Sequence, residues 1–311
     1  MKREKPALDF VERAPAIQDE DTAREIFERL RWPNGPRCIK CGSVDVYRIA
    51  SQPGSSTRKG VLRCRDCEQQ FTVTVGTVFE DSHVSLGKWL AAVNMMASSK
   101  KGVSAHFLHR WLKVSYRTAW FMAHRLRYAA TQEPLSGMLR GTVEIDETYI
   151  GGKPENRHIG SRRVVPKAAV VSLVERKGRV RSFPVKRVTG ETLKGIIRKN
   201  VRQSAEIMTD ANQIYRGLDT EFAGHEAVNH HSQEFVRGSA HTNSVEGFFS
   251  LLKRGIIGTY HHVSEDHLWR YLAEFDARYN GRKLTDGQRA AKLLRSAEGK
   301  RLTYKPLVNR G

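Results

Sequence analysis

Hydrophobic positions divide this chain into stretches of different period. From 85 to 130 they recur every three or four residues, in "SLGKWLAAVNMMASS", "GVSAHFLHRWLKV" and "SYRTAWFMAHRLRYAA", as in amphipathic helices. Ser85, Ser104 and Ser115 stand where each helix begins, placed to cap it. From about 140 the period shortens to two: "GTVEIDETYI", "AAVVSLVER" and "RVRSFPVKRV" read as strands, with Gly178 near the turn between the last two. "TGETLKGIIRKNV" then reads as a helix capped by Thr189 or Thr192, "AEIMTD" as a buried strand, and "EAVNHH" as another strand after a short helical stretch. Two helices close the pattern, "HTNSVEGFFSLLKRG" and "VSEDHLWRYLAEFDARYNGR". This order predicts a mixed sheet flanked by helices.

Ahead of these, "DTAREIFERLRWP" is a short helix with Asp21 as cap and Pro33 as stop, and "VLRCRDCEQQFTVTVGTVF" alternates in a way that suits short strands after Cys67. A chain of 311 residues exceeds what one small core needs, so two or three domains are expected. The segments are an N-terminal helical piece (1–35), a cysteine-bearing segment (36–80), a helical bundle (85–132), the mixed sheet (140–285) and a basic C-terminal tail (286–311). The class is multidomain α+β and α/β.

Charge narrows the partners. Lys plus Arg total 53 against 33 Asp plus Glu, a formal net charge of +20, which attracts a polyanion. The basic residues are spread along the chain instead of flanking an apolar anchor, which favours nucleic acid over a membrane surface. The opening "MKREKPALDFVERAP" has no apolar core of a signal peptide, and no window approaches the roughly 18 apolar residues of a membrane span. A soluble, cytoplasmic, nucleoid-associated protein is therefore expected. Within the bundle, the short "KVS" connection between the last two helices fits a helix-turn-helix, with 115–129 as recognition helix carrying Arg117, His124, Arg125 and Arg127. A plain three-helix bundle has the same short turns.

Cys38-Ile39-Lys40-Cys41 and Cys64-Arg65-Asp66-Cys67 are two CxxC units. Each can bring two thiolates to one ion from a tight turn, and together they complete a tetrahedral Cys₄ zinc site. Gly42 eases the first turn. Four protein ligands leave no open position, so this zinc ribbon is structural and catalysis must lie elsewhere. Four unconnected buried thiols, or iron in place of zinc, are the competing readings.

Asp146 sits at the end of "VEID" and Asp210 ends "AEIMTD". Aspartates commonly terminate strands through Asx turns, so each alone is weak evidence. Glu246 adds to them. At roughly 100° per residue, Val245, Phe248, Phe249 and Leu252 share one side of its helix, while Asn243, Glu246, Ser250 and Lys253 share another strip. Three carboxylates suit two divalent metals, magnesium or manganese, arranged for in-line phosphoryl displacement. Lys253 suits a phosphate contact, with Arg254 beside it. A solvated helix face is the alternative for a lone Glu. His261, His262 and His267 could orient a phosphate or simply pack or cap, and "GGKPENRHIGSRR", with Lys153, Arg162 and Arg163, could contact DNA or form a solvated hairpin.

The stretches "VEIDETYIGGK", "IMTDANQIYRGL" and "HTNSVEGFFSLLKRGIIGTYHHVSEDHLWRYLAEFDARYNGR" resemble the DDE transposases of bacterial insertion sequences, in the group whose ISXO-like catalytic domain follows a zinc ribbon. The resemblance runs from Cys38 to about Arg282. It implies an RNase H-like fold with acidic residues on the first strand, the fourth strand and a following helix, here Asp146, Asp210 and Glu246, and a basic residue at Lys253. Similar transposases often carry Asn in the third position, which leaves Asn243 as the alternative to Glu246. The resemblance further implies double-stranded DNA partners (terminal inverted repeats and target), DNA strand cleavage and transfer, and a homodimer or higher oligomer on DNA. A zinc-ribbon transcription regulator without catalysis, and an RNase H-like nuclease that cuts without joining, are the rival readings.

Overall fold

The computed structural model describes residues 18–50, 59–131, 137–151, 167–229, 234 and 236–308. These fall into two compact units, one drawn from Met1–Ser99, Val103–Ala130 and Leu284–Gly311, the other from Lys100–Gly102 and Thr131–Lys283.

The first unit begins with α1 (Glu20–Arg31), whose cap is Asp19 and not Asp21: the Asp19 carboxylate accepts the Thr22 N–H at 2.9 Å. Asp21 instead lies in the first turn, where it pairs with Arg24. The helix ends at Trp32, before Pro33. Three short antiparallel strands follow, β1 (Val46–Arg48), β2 (Leu62–Cys64) and β3 (Gln70–Phe71). The alternation beyond Phe71 does not continue as strand. Residues 73–80 are mostly turns, because the Thr77 hydroxyl donates to the Thr74 carbonyl at 2.6 Å, while Val73, Val78 and Phe79 are buried.

Helices α2 (Leu86–Ser98), α3 (Ala105–Leu112) and α4 (Tyr116–Ala129) are capped by Ser85, Ser104 and Ser115, as the pattern predicts. An edge-to-face chain, Phe27 to Phe79 (5.1 Å) to Trp89 (5.0 Å), ties α1 to α2. Truncating a fully buried leucine here, such as Leu90 or Leu108, should cost about 2–5 kcal/mol.

The segment expected as a basic tail contains α8 (Asp286–Arg295). Thr285 and Gln288 form a reciprocal capping box, and buried Ala290, Leu294 and Ala297 join the same core as α2. Arg289 Nε donates to the Ala97 carbonyl at 2.8 Å, and Gly299 N–H to that of Gly76 at 2.9 Å.

In the second unit a five-stranded sheet runs in the order β6 (Val180–Val185), β5 (Ala168–Glu175), β4 (Thr142–Ile150), β7 (Glu206–Asp210) and β8 (Gly224–Val228). The first three are antiparallel neighbours; β7 is parallel to β4, and β8 to β7. Alternation splits the side chains between two faces. Val143, Ile145, Val171 and Leu173 pack with α5 (Gly190–Asn200, capped by Thr189) and Tyr215. On the other face Val170, Val174 and Val180 pack with α6 (Asn243–Gly255) and α7 (Glu265–Asn280). The result is a mixed sheet between two helical layers. No helix among the described residues is long and apolar enough to cross a membrane.

Candidate active site and metal centre

The four cysteines meet in the first unit. All four Sγ atoms lie within 4.8 Å of one another, with Cys38–Cys67 at 3.4 Å and Cys41–Cys64 at 3.6 Å. Gly42, at φ +77°, makes the left-handed turn that closes the first pair, and its N–H donates to the Cys38 carbonyl at 2.9 Å. Against the penalty of burial, the backbone N–H groups of Cys41 and Lys40 hold the Cys38 thiol down to about 6. The neighbouring sulfurs push the Cys41 and Cys67 thiols up in turn, as expected of thiols crowded together without a cation. Four mutually close sulfurs fit a tetrahedral zinc, with three short strands too small to hold this segment alone.

In the second unit, β4 continues past Asp146 through Ile150, so this aspartate lies mid-strand, opposite Ser172 of β5, and not at a strand end. Thr148 and Ile150 extend the alternation and pair with Val170 and Ala168. On the other side, β4 and β7 pair in parallel with Thr142 opposite Glu206 and Glu144 opposite Met208. The pairing ends there, and Asp146 and Asp210 each lie two residues beyond it on these neighbouring parallel strands. The Asp210 carboxylate accepts the Asn212 N–H at 3.2 Å, the Asx turn that ends β7.

Glu246 approaches from α6. Val245, Phe248, Phe249 and Leu252 are buried, whereas Asn243, Glu246, Ser250 and Lys253 are exposed, which is the helix phase the sequence predicts. The buried Thr242 donates its hydroxyl to Glu246 Oε1 at 3.1 Å. Burial, then the charges of Glu147, Asp210 and Glu246, push the Asp146 carboxyl up to about 7, partly offset by the Glu147 N–H it accepts at 2.7 Å. Asp210 and Glu246, from a neighbouring strand and from α6, are thus near enough for their charges to add to the effect of burial on Asp146. Their oxygens are set more widely than the cysteine sulfurs, which form the one group of three or more candidate ligands within 4.8 Å among the described residues.

Two acids that carry no signal in the motifs organise this site. Glu144, fully buried on the same sheet face as Asp146, accepts the backbone N–H groups of Ser244 (2.6 Å) and Val245 (3.1 Å) at the start of α6, and Arg176 Nε at 2.6 Å. Glu147, on the opposite face, accepts the Tyr215 hydroxyl at 2.6 Å. The alternation that marks Asp146 also marks Glu144, two residues earlier, as a face-sharing acid.

Three of the four side chains expected to act from a recognition helix do not face outward. In α4, His124 and Arg127 are buried at 0% and 1% exposure, and Arg125 is buried too, so none faces outward as a groove-reading side chain must. Small Ala119, Ala123 and Ala129 let this face pack inward, and long arginine stems are buried with it. Arg117 is exposed and stacks 4.3 Å over Tyr304. Lys253 and Arg254 are exposed on α6, with Arg254 Nε donating to the Ser250 carbonyl at 3.0 Å. His261 and His262 are exposed beyond α6, and His267 is half-buried in α7. Lys153, Arg162 and Arg163 lie outside the described residues.

Comparison with known proteins finds matches over both the cysteine-bearing segment and the mixed-sheet segment. The family model described as an ISXO2-like transposase domain matches residues 138–280, and that described as a transposase zinc-ribbon domain matches residues 18–70, taking in α1 as well as the cysteines. A protein of Halobacterium salinarum, named as an uncharacterized protein in transposable element ISH50, is 31% identical over 275 residues, covering 83% of this chain and 90% of that protein. The crystal structure of a pre-cleavage Mos1 transpososome is 12% identical, covering 69% of this chain and 80% of that chain, at a TM-score of 0.23, a likeness too slight to bear on fold or function. By its match to the transposable-element protein and to both domains, the chain belongs to the ISXO2-like transposase family and carries a transposase zinc ribbon ahead of its transposase domain.

Proposed function

We propose that this transposase binds the terminal inverted repeats of its element and carries out DNA strand cleavage and strand transfer at Asp146, Asp210 and Glu246. The observation that carries the reading is the shared electrostatic environment of the three acids, in which burial and like charge raise the Asp146 carboxyl to about 7. A site that repels its own carboxylates gains most from a cation, and its hard oxygen donors suit magnesium or manganese. Strand order adds support. Counting within the second unit, Asp146 lies on the first strand, Asp210 on the fourth and Glu246 on a following helix, as an RNase H-like transposase domain requires.

Bound divalent ions would supply activation of the attacking oxygen and stabilisation of the leaving one. The chain's own part is to position. Asp146 and Asp210 are fixed on adjacent parallel strands, Thr242 orients Glu246, and Lys253, further along the exposed strip of α6, reaches a strand phosphate. Hydrolysis at the element's end and attack of the freed 3′ hydroxyl on target DNA are both in-line displacements, so one constellation serves both. The net charge of +20 favours the DNA complex, and holding two ends calls for a homodimer or higher oligomer.

The test is incubation of purified protein with labelled candidate terminal repeats and magnesium or manganese. Cutting with joining is the expected result. Binding alone would indicate a regulator, and cutting without joining a nuclease; either would overturn the reading.

A further inference from the structure

A cavity of about 710 Å³ lies along one face of α4 within the first unit. Its volume falls in the range of small-molecule sites, roughly 300–1,000 Å³. Lys88 and Trp89 of α2, Arg117, Phe121 and Arg125 of α4, and Tyr304 line it. Arg125 is only 6% exposed, yet its Nε has no hydrogen-bond partner. A guanidinium with an unused donor is costly to bury unless an anion completes it.

The neighbouring carboxylates are committed elsewhere. Asp81, also on the cavity wall, accepts Arg301 at 2.6 Å, and Glu80 accepts the Gly76 N–H at 2.7 Å. Their charges attract Arg125 without bonding it. The start of α2 is likewise taken, since Glu20 accepts the N–H groups of Leu86 (2.9 Å) and Gly87 (3.3 Å). The start of α4 remains. Ser115, Arg117 and Thr118 border the cavity, and Ser115 Oγ takes the Thr118 N–H at 3.1 Å. The other first-turn N–H groups have no acceptor within the helix and form the positive end of its dipole.

Both arginines stack on rings, Arg117 4.3 Å over Tyr304 and Arg125 4.4 Å over Phe121. Stacking fixes each guanidinium plane and leaves its N–H edge for a planar, bidentate acceptor such as phosphate. Apolar Val84, Trp89 and Val114 complete the wall.

We infer that this cavity is a nucleotide-binding site, with Arg125, Arg117 and the α4 N-terminus taking the phosphate and the aromatic and apolar wall taking the base. The phosphate ester could belong to a free mononucleotide or to one nucleotide of a DNA strand.

The experiment is isothermal titration of the zinc-loaded full chain with deoxyadenosine monophosphate, deoxyadenosine and a single-stranded deoxyadenosine trinucleotide, in about 0.2 M salt to screen non-specific phosphate attraction. The monophosphate should bind saturably, and the unphosphorylated nucleoside at least about tenfold more weakly. Arg125→Gln and the exposed-site variant Arg117→Gln should each weaken the monophosphate by at least about tenfold. Arg117 is exposed, so Arg117→Gln should still fold cooperatively, and the test survives if the Arg125 variant does not fold. A trinucleotide that binds more tightly than the monophosphate identifies a DNA strand as the source; equal or weaker binding identifies the free nucleotide. Absence of saturable monophosphate binding, or affinity unchanged by Arg117→Gln, would overturn the inference.

Discussion

Glu144 caps the helix that carries Glu246: its Oε2 accepts the Ser244 backbone N–H at 2.6 Å, and its Oε1 accepts the Ser244 hydroxyl at 2.9 Å. Arg176 at 2.6 Å balances the buried charge. Because Glu144 stands two residues before Asp146 on β4, this contact ties the first residue of the candidate site to the helix holding the third. Glu144→Ala would leave Arg176 with the His241 carbonyl but no carboxylate and would uncap α6, at a cost of about 2–4 kcal/mol. Urea denaturation should show that loss, with Glu144→Gln intermediate. Cleavage by folded Glu144→Ala should fall more than end binding, since the misplaced element is the catalytic helix.

The third site position separates two neighbours on one helical strip. Glu246 contributes to the electrostatic pressure on Asp146 and is oriented by Thr242, whereas Asn243 is the exposed first residue of α6. Glu246→Gln should lower cleavage on the order of a hundredfold or more with end binding intact, and Asn243→Ala should cost far less. Cleavage retained in Glu246→Gln and lost in Asn243→Ala would move the role to Asn243.

Zinc removal tests the ribbon by a different route. Cys64 is fully buried and the three surrounding strands are two or three residues long, so they hold little core of their own. Cys64→Ser should lose one zinc per chain by elemental analysis and lower the thermal midpoint. In small zinc peptides the metal is worth on the order of 10 kcal/mol, and the existing core of α1, α2 and α8 should reduce that loss here.

Much of this architecture is legible from local chemistry. Ser85, Ser104, Ser115 and Thr189 all cap helices where the pattern puts them, because a cap is decided by neighbours within one turn. The CxxC spacing is local in the same sense. What escapes is decided at long range. The amphipathic face of α4 gives no indication that His124 and Arg127 are buried, since burial depends on what packs against the helix. Residues 286–311 read as tail because of their charge, although Thr285 with Gln288 and the Ala290, Leu294, Ala297 spacing mark a capped, half-buried helix. Glu144 is invisible as a cap because its partners lie a hundred residues away.

Metal binding at the candidate site should depend on pH through Asp146. Its carboxyl is raised to about 7 in the metal-free chain, and a cation needs the ionised form. Below about pH 7 the apparent manganese affinity should therefore fall as much as tenfold per pH unit, levelling off above it. Titration by electron paramagnetic resonance would follow free manganese directly. Asp146→Asn should bind weakly at every pH and abolish the dependence; a wild-type affinity that is flat from pH 5.5 to 8 would contradict the assignment.

Asp276 offers a stability counterpart away from the candidate site. It is buried, and burial lifts its carboxyl from an ordinary 3.8 to about 7, partly offset by the Ser182 hydroxyl at 2.7 Å, the Ser182 N–H at 2.8 Å and the nearby charge of Arg181. Between about pH 4 and 7 the folded chain thus holds a proton that the unfolded chain has released. Stability from this group is fully present below the unfolded pKa and is lost as pH rises to the folded one; Asp146 acts in the same direction. Asp276→Asn keeps an acceptor for the Ser182 N–H and cannot ionise. Its thermal midpoint should decline less than that of the parent from pH 5 to pH 8, so that the variant gains on the parent as pH rises. Parallel curves for the two proteins would show that Asp276 stays ionised in the folded chain across this range.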